Sequence, residues 1–207
     1  MEIVKPSVHL LHEINGEEIL ARIERAGRVC YKSEDSIASG TSHQFVTALI
    51  RRGHESVLEH EKISMVLLCD RGVTHELVRH RIASYSQEST RYCNYSKDKF
   101  GNSLTFVKPV FFEEGTETYA LWEKSMQEIE TSYFALLENG ATPEQARTVL
   151  TNSLKTEIAV TMNIRSLRNF LKLRTDKAAH PQMRETANQV LDLVKSKIPI
   201  LFDDIMQ

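Results

Sequence analysis

The sequence predicts an α+β domain in which several helices enclose a few separated strands. Long segments repeat apolar residues at steps of three and four, the period of an amphipathic helix. Short runs that alternate or are continuously apolar have the length of strands and stand apart from one another along the chain. No internal repeat, low-complexity run or long linker interrupts the 207 residues, so 1–207 reads as a single domain with no visible boundary.

Taken in order, residues 1–14 mix apolar and polar positions as an opening strand. Asn15-Gly16 then leads into a helix with Ile19, Leu20, Ile23 and Ala26 on one stripe. Thr41-Ser42-His43-Gln44 has the form of a capping box, and Phe45, Leu49 and Ile50 follow at helical spacing. Ile63 to Cys69 is a buried strand, turned by Asp70-Arg71-Gly72 into a helix that carries Val73, Leu77 and Val78 and ends in Arg79-His80-Arg81.

Tyr119, Trp122, Met126, Ile129, Tyr133 and Leu136 mark a long helix that Gly140 closes, and their aromatics read as core. Thr142-Pro143-Glu144-Gln145 combines an N-cap, a proline in the first turn and a capping-box glutamine, which starts a helix through Ala146, Arg147 and Leu150. Thr156, Ile158, Val160 and Met162 form one face of a strand, and Leu167, Phe170 and Leu171 the stripe of the helix after it. A last helix after Pro181 carries Met183, Ala187, Val190, Leu191, Val194 and Ile198, with Lys195 and Lys197 suiting its C-terminal end and Pro199 stopping it.

Composition removes several function classes. A 41% apolar content supports a real core, while a net charge of −2 and a pI near 6.5 supply no basic field for bulk nucleic-acid binding. Cys30, Cys69 and Cys93 are isolated and odd in number, which argues against a disulfide framework and a structural zinc site and fits a reducing cytoplasm. No signal-peptide pattern and no apolar run of spanning length is present, so neither secretion nor membrane insertion is expected. His75 and His80 lie five apart, about 140° around a helix, which is wrong for a shared metal; His54, Glu59 and His60 read as a helix start. No metal is expected.

Chemistry concentrates in two places. The fourteen residues from Arg79 to Tyr92 hold three arginines, a histidine, three serines, a threonine and a glutamine. Charge alone is equally compatible with solvated arginines at a helix end. The interleaving of Ile82, Ala83 and Tyr85 with polar residues favours a half-buried strand that presents hydroxyls and guanidinium forks to an anion, with a phosphorylated small molecule as the natural guest. The second place is Asn163, Arg165, Asn169 and Arg174, where Arg165 and Asn169 share a helix face. Arg174 continues the apolar stripe inward, and an inward charge needs a partner: a ligand, or a carboxylate such as Glu157 or Asp176. No G-x-G-x-x-G, P-loop or G-x-S-x-G motif is present.

Arg79-His80-Arg81, seven residues, then Ser89 with Arg91-Tyr92 resembles the signature of the flavin-dependent thymidylate synthases. Arg52-Gly53-His54 with Ser56 and Glu59-His60, Arg147, and Asn163 through Arg174 follow in the family's order. The resemblance implies a small, mostly antiparallel sheet flanked by helices, and a homotetramer with FAD bound between subunits. It implies conversion of dUMP to dTMP with 5,10-methylenetetrahydrofolate as carbon donor and NADPH as hydride source. It assigns Ser56, Arg79, His80, Arg81, Gln87, Asn163, Ile164, Arg165 and Asn169 to FAD. Glu76, Leu77, Val78, Arg79, Gln87, Glu88, Ser89, Thr90, Arg91, Arg147 and Arg174 go to dUMP, with Arg174 as the catalytic group against the uracil ring and Ser89 positioning substrate. The chain departs from the family's usual residues at Glu76, where glutamine is common, and at Ser86, where asparagine is; Ser56 keeps the hydroxyl of a threonine. Two other classes would use the same arginines: a non-catalytic nucleotide-binding regulator, and a single-stranded nucleic-acid binder stacking on Tyr85, Tyr92 and Tyr95, which the acidic balance disfavours.

Overall fold

Six strands and seven helices, joined by loops and short 3-10 turns, account for most of the described residues, 1–97 and 101–206, of the computed structural model. In chain order they are β1 (Glu2–Val4), β2 (Ser7–Leu10), α1 (Gly16–Tyr31), α2 (Thr41–Arg51), β3 (Lys62–Asp70), α3 (Arg71–Leu77) and β4 (Ala83–Gln87). Then follow β5 (Thr105–Val107), α4 (Glu117–Glu138), α5 (Pro143–Ala146), β6 (Lys155–Asn163), α6 (Ile164–Arg174) and α7 (Pro181–Lys197). Strands β2-β3-β6-β4 form a four-stranded sheet, and β1 pairs with β5 in a parallel two-stranded one, Ile3 opposite Phe106. In the larger sheet β3 and β6 run antiparallel: Ser64 meets Thr161 at 2.8 Å, and just past the end of β3 the N–H of Arg71 meets the carbonyl of Leu154, the residue before β6, at 3.1 Å.

The chain divides into two compact units, one built from 1–7, 67–79 and 86–158, the other from 8–66, 80–85 and 159–207. In the first, Trp122, Met126 and Tyr133 of α4 pack with Leu104, Phe106, Tyr95, Ala146 and Leu154, as the aromatic stripe of α4 predicts. Gly140, at φ +87°, follows the end of α4 in the left-handed conformation expected of a terminating glycine. In the second, α1 packs on α2 and α6 on α7, with Ile23, Val46, Leu167, Leu171, Val190 and Leu191 fully buried. Asn15 caps α1 by accepting the N–H of Glu18. A Cβ on Gly16 would lie 2.6 Å from the carbonyl oxygen of Lys197, so this glycine lets the start of α1 approach the end of α7.

Three local expectations are corrected. The opening segment is two strands, because Pro6 lacks the N–H that a continuous ladder needs, and β1 and β2 join different sheets. Thr41 begins α2 as its first residue and does not cap it; the cap is Gly40 at φ +82°, and the Thr41 hydroxyl lies 2.9 Å from both Glu24 Oε2 and Ala38 O. The capping box at Thr142 and Gln145 is formed, but its helix ends at Ala146. A 3-10 turn, Arg147–Val149, follows, where β-branched Thr148 and Val149 disfavour continuation and Leu150 is already extended. Among the described residues no helix is long and apolar enough to cross a membrane.

Candidate functional site

In the second unit, Arg174 ends α6 half-buried, and its Nε donates to Nε2 of His80 at 3.0 Å. A guanidinium has no acceptor, so Nε2 carries the lone pair and His80 is neutral with its proton on Nδ1. Burial, and then the charge of Arg174, lower the imidazole pKa below its ordinary 6.5, in agreement with a neutral ring. The ring is fixed edge-on against Phe170 at 5.1 Å, and Tyr85 OH donates to the His80 carbonyl at 2.7 Å. The carboxylates expected to pair Arg174 are engaged elsewhere: Glu157 with Lys155 at 2.8 Å, Asp176 with the N–H of Ala178 at 2.8 Å.

The start of α6 gathers Asn163, Ile164, Arg165 and Asn169. Asn163 is the N-cap, its Oδ1 accepting the N–H of Ser166 at 2.8 Å, which leaves the side-chain NH2 as its donor to a ligand. Ile164 is fully buried and its N–H bonds the Glu61 carbonyl, so it shapes the helix start and presents no side chain. Arg165 and Asn169 are both exposed, consistent with one outward face, and Arg165 pairs with Glu59 at 2.6 Å. Ser56 is exposed on the 3-10 turn Glu55–His60 that packs on α6.

Sequence reasoning missed Arg168. It is 1% exposed, grips Asp204 with two bonds of 2.7 Å, donates to the Leu201 carbonyl and lies 3.5 Å from Glu55. The signal was available: Ile164, Leu167, Arg168 and Leu171 follow the same i, i+3, i+4, i+7 rule that turned Arg174 inward.

The chain enters the first unit within β4, at Ser86, and runs into the remaining candidates. Ser84 and Ser86 are exposed while Ala83, Tyr85 and Gln87 are half-buried, the alternation expected of a strand with one polar face. Gln87 Nε2 donates to Thr74 Oγ1 at 3.1 Å and Thr156 Oγ1 at 3.3 Å. Thr74 sends its own hydroxyl proton to the Arg71 carbonyl, which fixes the amide orientation and leaves Gln87 Oε1 as an acceptor. Glu88 takes the Tyr95 hydroxyl at 2.8 Å and Lys155 Nζ at 3.2 Å.

Ser89 opens a turn in which its Oγ accepts the N–H of Arg91 and its carbonyl the N–H of Cys93, while Thr90 is buried. Arg91 is exposed, lies over Tyr92 and pairs with Glu144 of α5; Arg147, also exposed, follows three residues after Glu144. On α3, Leu77 is core, Glu76 half-buried, and Val78 and Arg79 exposed beyond its end.

Each unit therefore presents donors suited to an anion. The second offers Ser56, Arg81, Asn163 Nδ2, Arg165 and Asn169, with Ile82, 72% exposed, as apolar surface beside Arg81. That donor set fits a diphosphate and a flat ring system. Among the described residues, no group of three histidines, cysteines or carboxylates is placed to hold a metal ion.

Residues 10–200 match the family described as Thymidylate synthase complementing protein. The chain is 38% identical over 191 residues to the flavin-dependent thymidylate synthase of Geobacter sulfurreducens, covering 89% of this chain and 81% of that one. It is 36% identical over 173 residues to the enzyme of that name from Pyrococcus furiosus (83% and 70%), and 34% over 202 to that of Saccharolobus solfataricus (95% and 75%). In fold it is similar to the UMP/dUMP methylase PolB of Streptomyces cacaoi, with a TM-score of 0.80, 23% identity and coverage of 98% of this chain and 96% of that one. The chain belongs to the flavin-dependent thymidylate synthase family.

Proposed function

We propose that this protein methylates dUMP to dTMP, with 5,10-methylenetetrahydrofolate as carbon donor, NADPH as hydride source and FAD as the bound cofactor, releasing tetrahydrofolate. The observation that carries the reading is Arg174 anchored through Nε to a neutral His80, in a chain of this family. We take residues 1–207 as one catalytic domain, since the family match runs through segments of both units, and the working form as a cytoplasmic homotetramer.

Ser56, Arg79, His80, Arg81, Gln87, Asn163, Arg165 and Asn169 would hold FAD, with Ile164 setting the helix start; arginines and helix-start donors suit its diphosphate. Bound FAD supplies hydride transfer, chemistry that no side chain here can perform. Arg165 would share its charge between a phosphate and Glu59.

Ser89, Thr90, Arg91 and Arg147 would take the nucleotide phosphate, and Glu76 to Arg79 with Gln87 and Glu88 would shape the rest of that site. The Arg91–Glu144 pair is about half exposed, with side chains 48% and 55% accessible. Such pairs contribute only about 0–1 kcal/mol, so a phosphate displaces Glu144 at little cost. Gln87 Oε1 suits an N–H donor on a ring edge. Arg174, held at Nε, directs its opposite edge away from His80; placed against uracil, that permanent charge stabilises negative charge at N3 and O4 and makes C5 more nucleophilic.

The test is dTMP formation by the purified protein with dUMP, methylenetetrahydrofolate and NADPH, each omitted in turn. All three should be required. Arg174→Ala should keep its flavin colour and lose about 10²–10³-fold in kcat, the scale of removing one transition-state charge donor. Normal turnover in that variant would refute the role of Arg174. Flavin-free protein that binds dUMP without turnover would favour a nucleotide-binding regulator.

A further inference from the structure

Gln87 ends β4 and Glu88 follows it, and their side chains meet consecutive strand residues of β6: Gln87 reaches Thr156, Glu88 reaches Lys155. Successive strand residues point to opposite faces, so the two pairs lie on opposite sides of the sheet. Glu88 is thereby turned into a cavity of about 260 Å³ lined also by Glu2, Ser103, Thr105 and Leu154. Its side chain is 14% exposed, and its carboxylate already takes two donors, Tyr95 OH and Lys155 Nζ.

Both donors are held from behind. Tyr95 is 7% exposed and packs against Tyr133, and burial, followed by the charge of Glu88, raises its pKa, so the phenol keeps its proton. Burial pulls the Lys155 pKa down, but its bond to Glu157 and the charge of Glu88 outweigh that, and the net shift is upward. Lys155 bridges Glu88 at 3.2 Å and Glu157 at 2.8 Å, while the backbone N–H of Glu88 bonds the Glu157 carbonyl at 2.9 Å. Glu88 is thus fastened by main chain and side chain immediately before Ser89, Thr90 and Arg91.

We infer that Lys155 and Tyr95 are positioning residues for the nucleotide phosphate, acting through Glu88, whose carboxylate anchors the Ser89–Arg91 turn. This rests on the function proposed above. The clamp also neutralises a carboxylate next to a site for a dianion, which an unpaired Glu88 would repel.

The test uses flavin-loaded protein carrying Tyr95→Phe, which keeps the ring in the core, and Lys155→Met, which keeps most of the stem. Each should raise both the dUMP KM and the calorimetric dUMP dissociation constant about tenfold, the equilibrium counterpart of one charge-assisted hydrogen bond. At saturating dUMP, kcat should stay within about twofold, and the NADPH KM and flavin content should not move. Lys155→Arg should recover most of the dUMP affinity. Unchanged dUMP binding in both variants overturns the inference, as does a parallel loss of flavin, dUMP and NADPH affinity, which would mark general loosening. Wild-type protein that binds dUMP without turnover would refute the catalytic reading while leaving this test intact; wild-type protein that does not bind dUMP refutes both.

Discussion

His80 and Arg174 constrain each other because only one protonation state of the imidazole accepts the Arg174 Nε–H. The His80 pKa is lowered in the folded protein, so below its ordinary 6.5 the unfolded chain binds a proton that the native one resists. The native state therefore loses stability as pH falls from about 6.5 toward the lower folded value, and keeps it in full above 6.5. Thermal melts between pH 7.5 and about 5 should show a smaller decline for His80→Gln, which cannot titrate, than for wild type; equal slopes would remove His80 from that linkage. Helical spacing placed Arg174 on the inward stripe of α6 from sequence alone. Its partner was not legible, because the contact joins residues 94 apart. The orientation of Gln87 was hidden for the same reason: Thr74 and Thr156 meet it only after β4 and β6 are in place.

At the scale of elements, α6 carries a charged side chain on its buried face, and the 3-10 turn bearing Glu55 and Ser56, together with the C-terminal segment bearing Asp204, closes over it. The guanidinium of Arg168 holds the Asp204 carboxyl below its ordinary pKa by hydrogen bonding. Removing one partner of a buried pair costs roughly 3–5 kcal/mol, and the partial exposure of Asp204 reduces this to about 2 kcal/mol for Asp204→Ala. At roughly 2–4 °C per kcal/mol for a chain of this size, the melting midpoint should fall by about 4–8 °C. Urea denaturation checks the free energy directly; no loss would mean that Glu55 alone compensates Arg168. The elements themselves were largely legible, because α4, α6, α7, β3 and β6 each bury a stripe or face of the expected period. The failures were local. The chemistry that starts a helix was read correctly at Thr142 and one residue off at Thr41, and the division of the opening strand followed from Pro6.

Across the whole molecule, a net charge of −2 coexists with an arginine-rich signature, so attraction for a phosphorylated guest is local rather than global. The family signature was legible because its residues are contiguous, from Arg79 to Arg91, and the helix from Asn163 to Arg174 is equally compact in sequence. The division into two units was not, because each is assembled from three separated stretches and the chain passes between them within β2, β3, β4 and β6 and again after Arg79, where no change of composition marks a boundary. A flavoenzyme acting on dUMP must carry a flavin chromophore that responds to its nucleotide. The most direct measurement is the visible absorption spectrum of the purified protein, followed without oxygen as NADPH is added with and without dUMP. The flavin spectrum should bleach, and faster with dUMP present. A colourless protein that takes up no added FAD would mean that this chain is not a flavoenzyme.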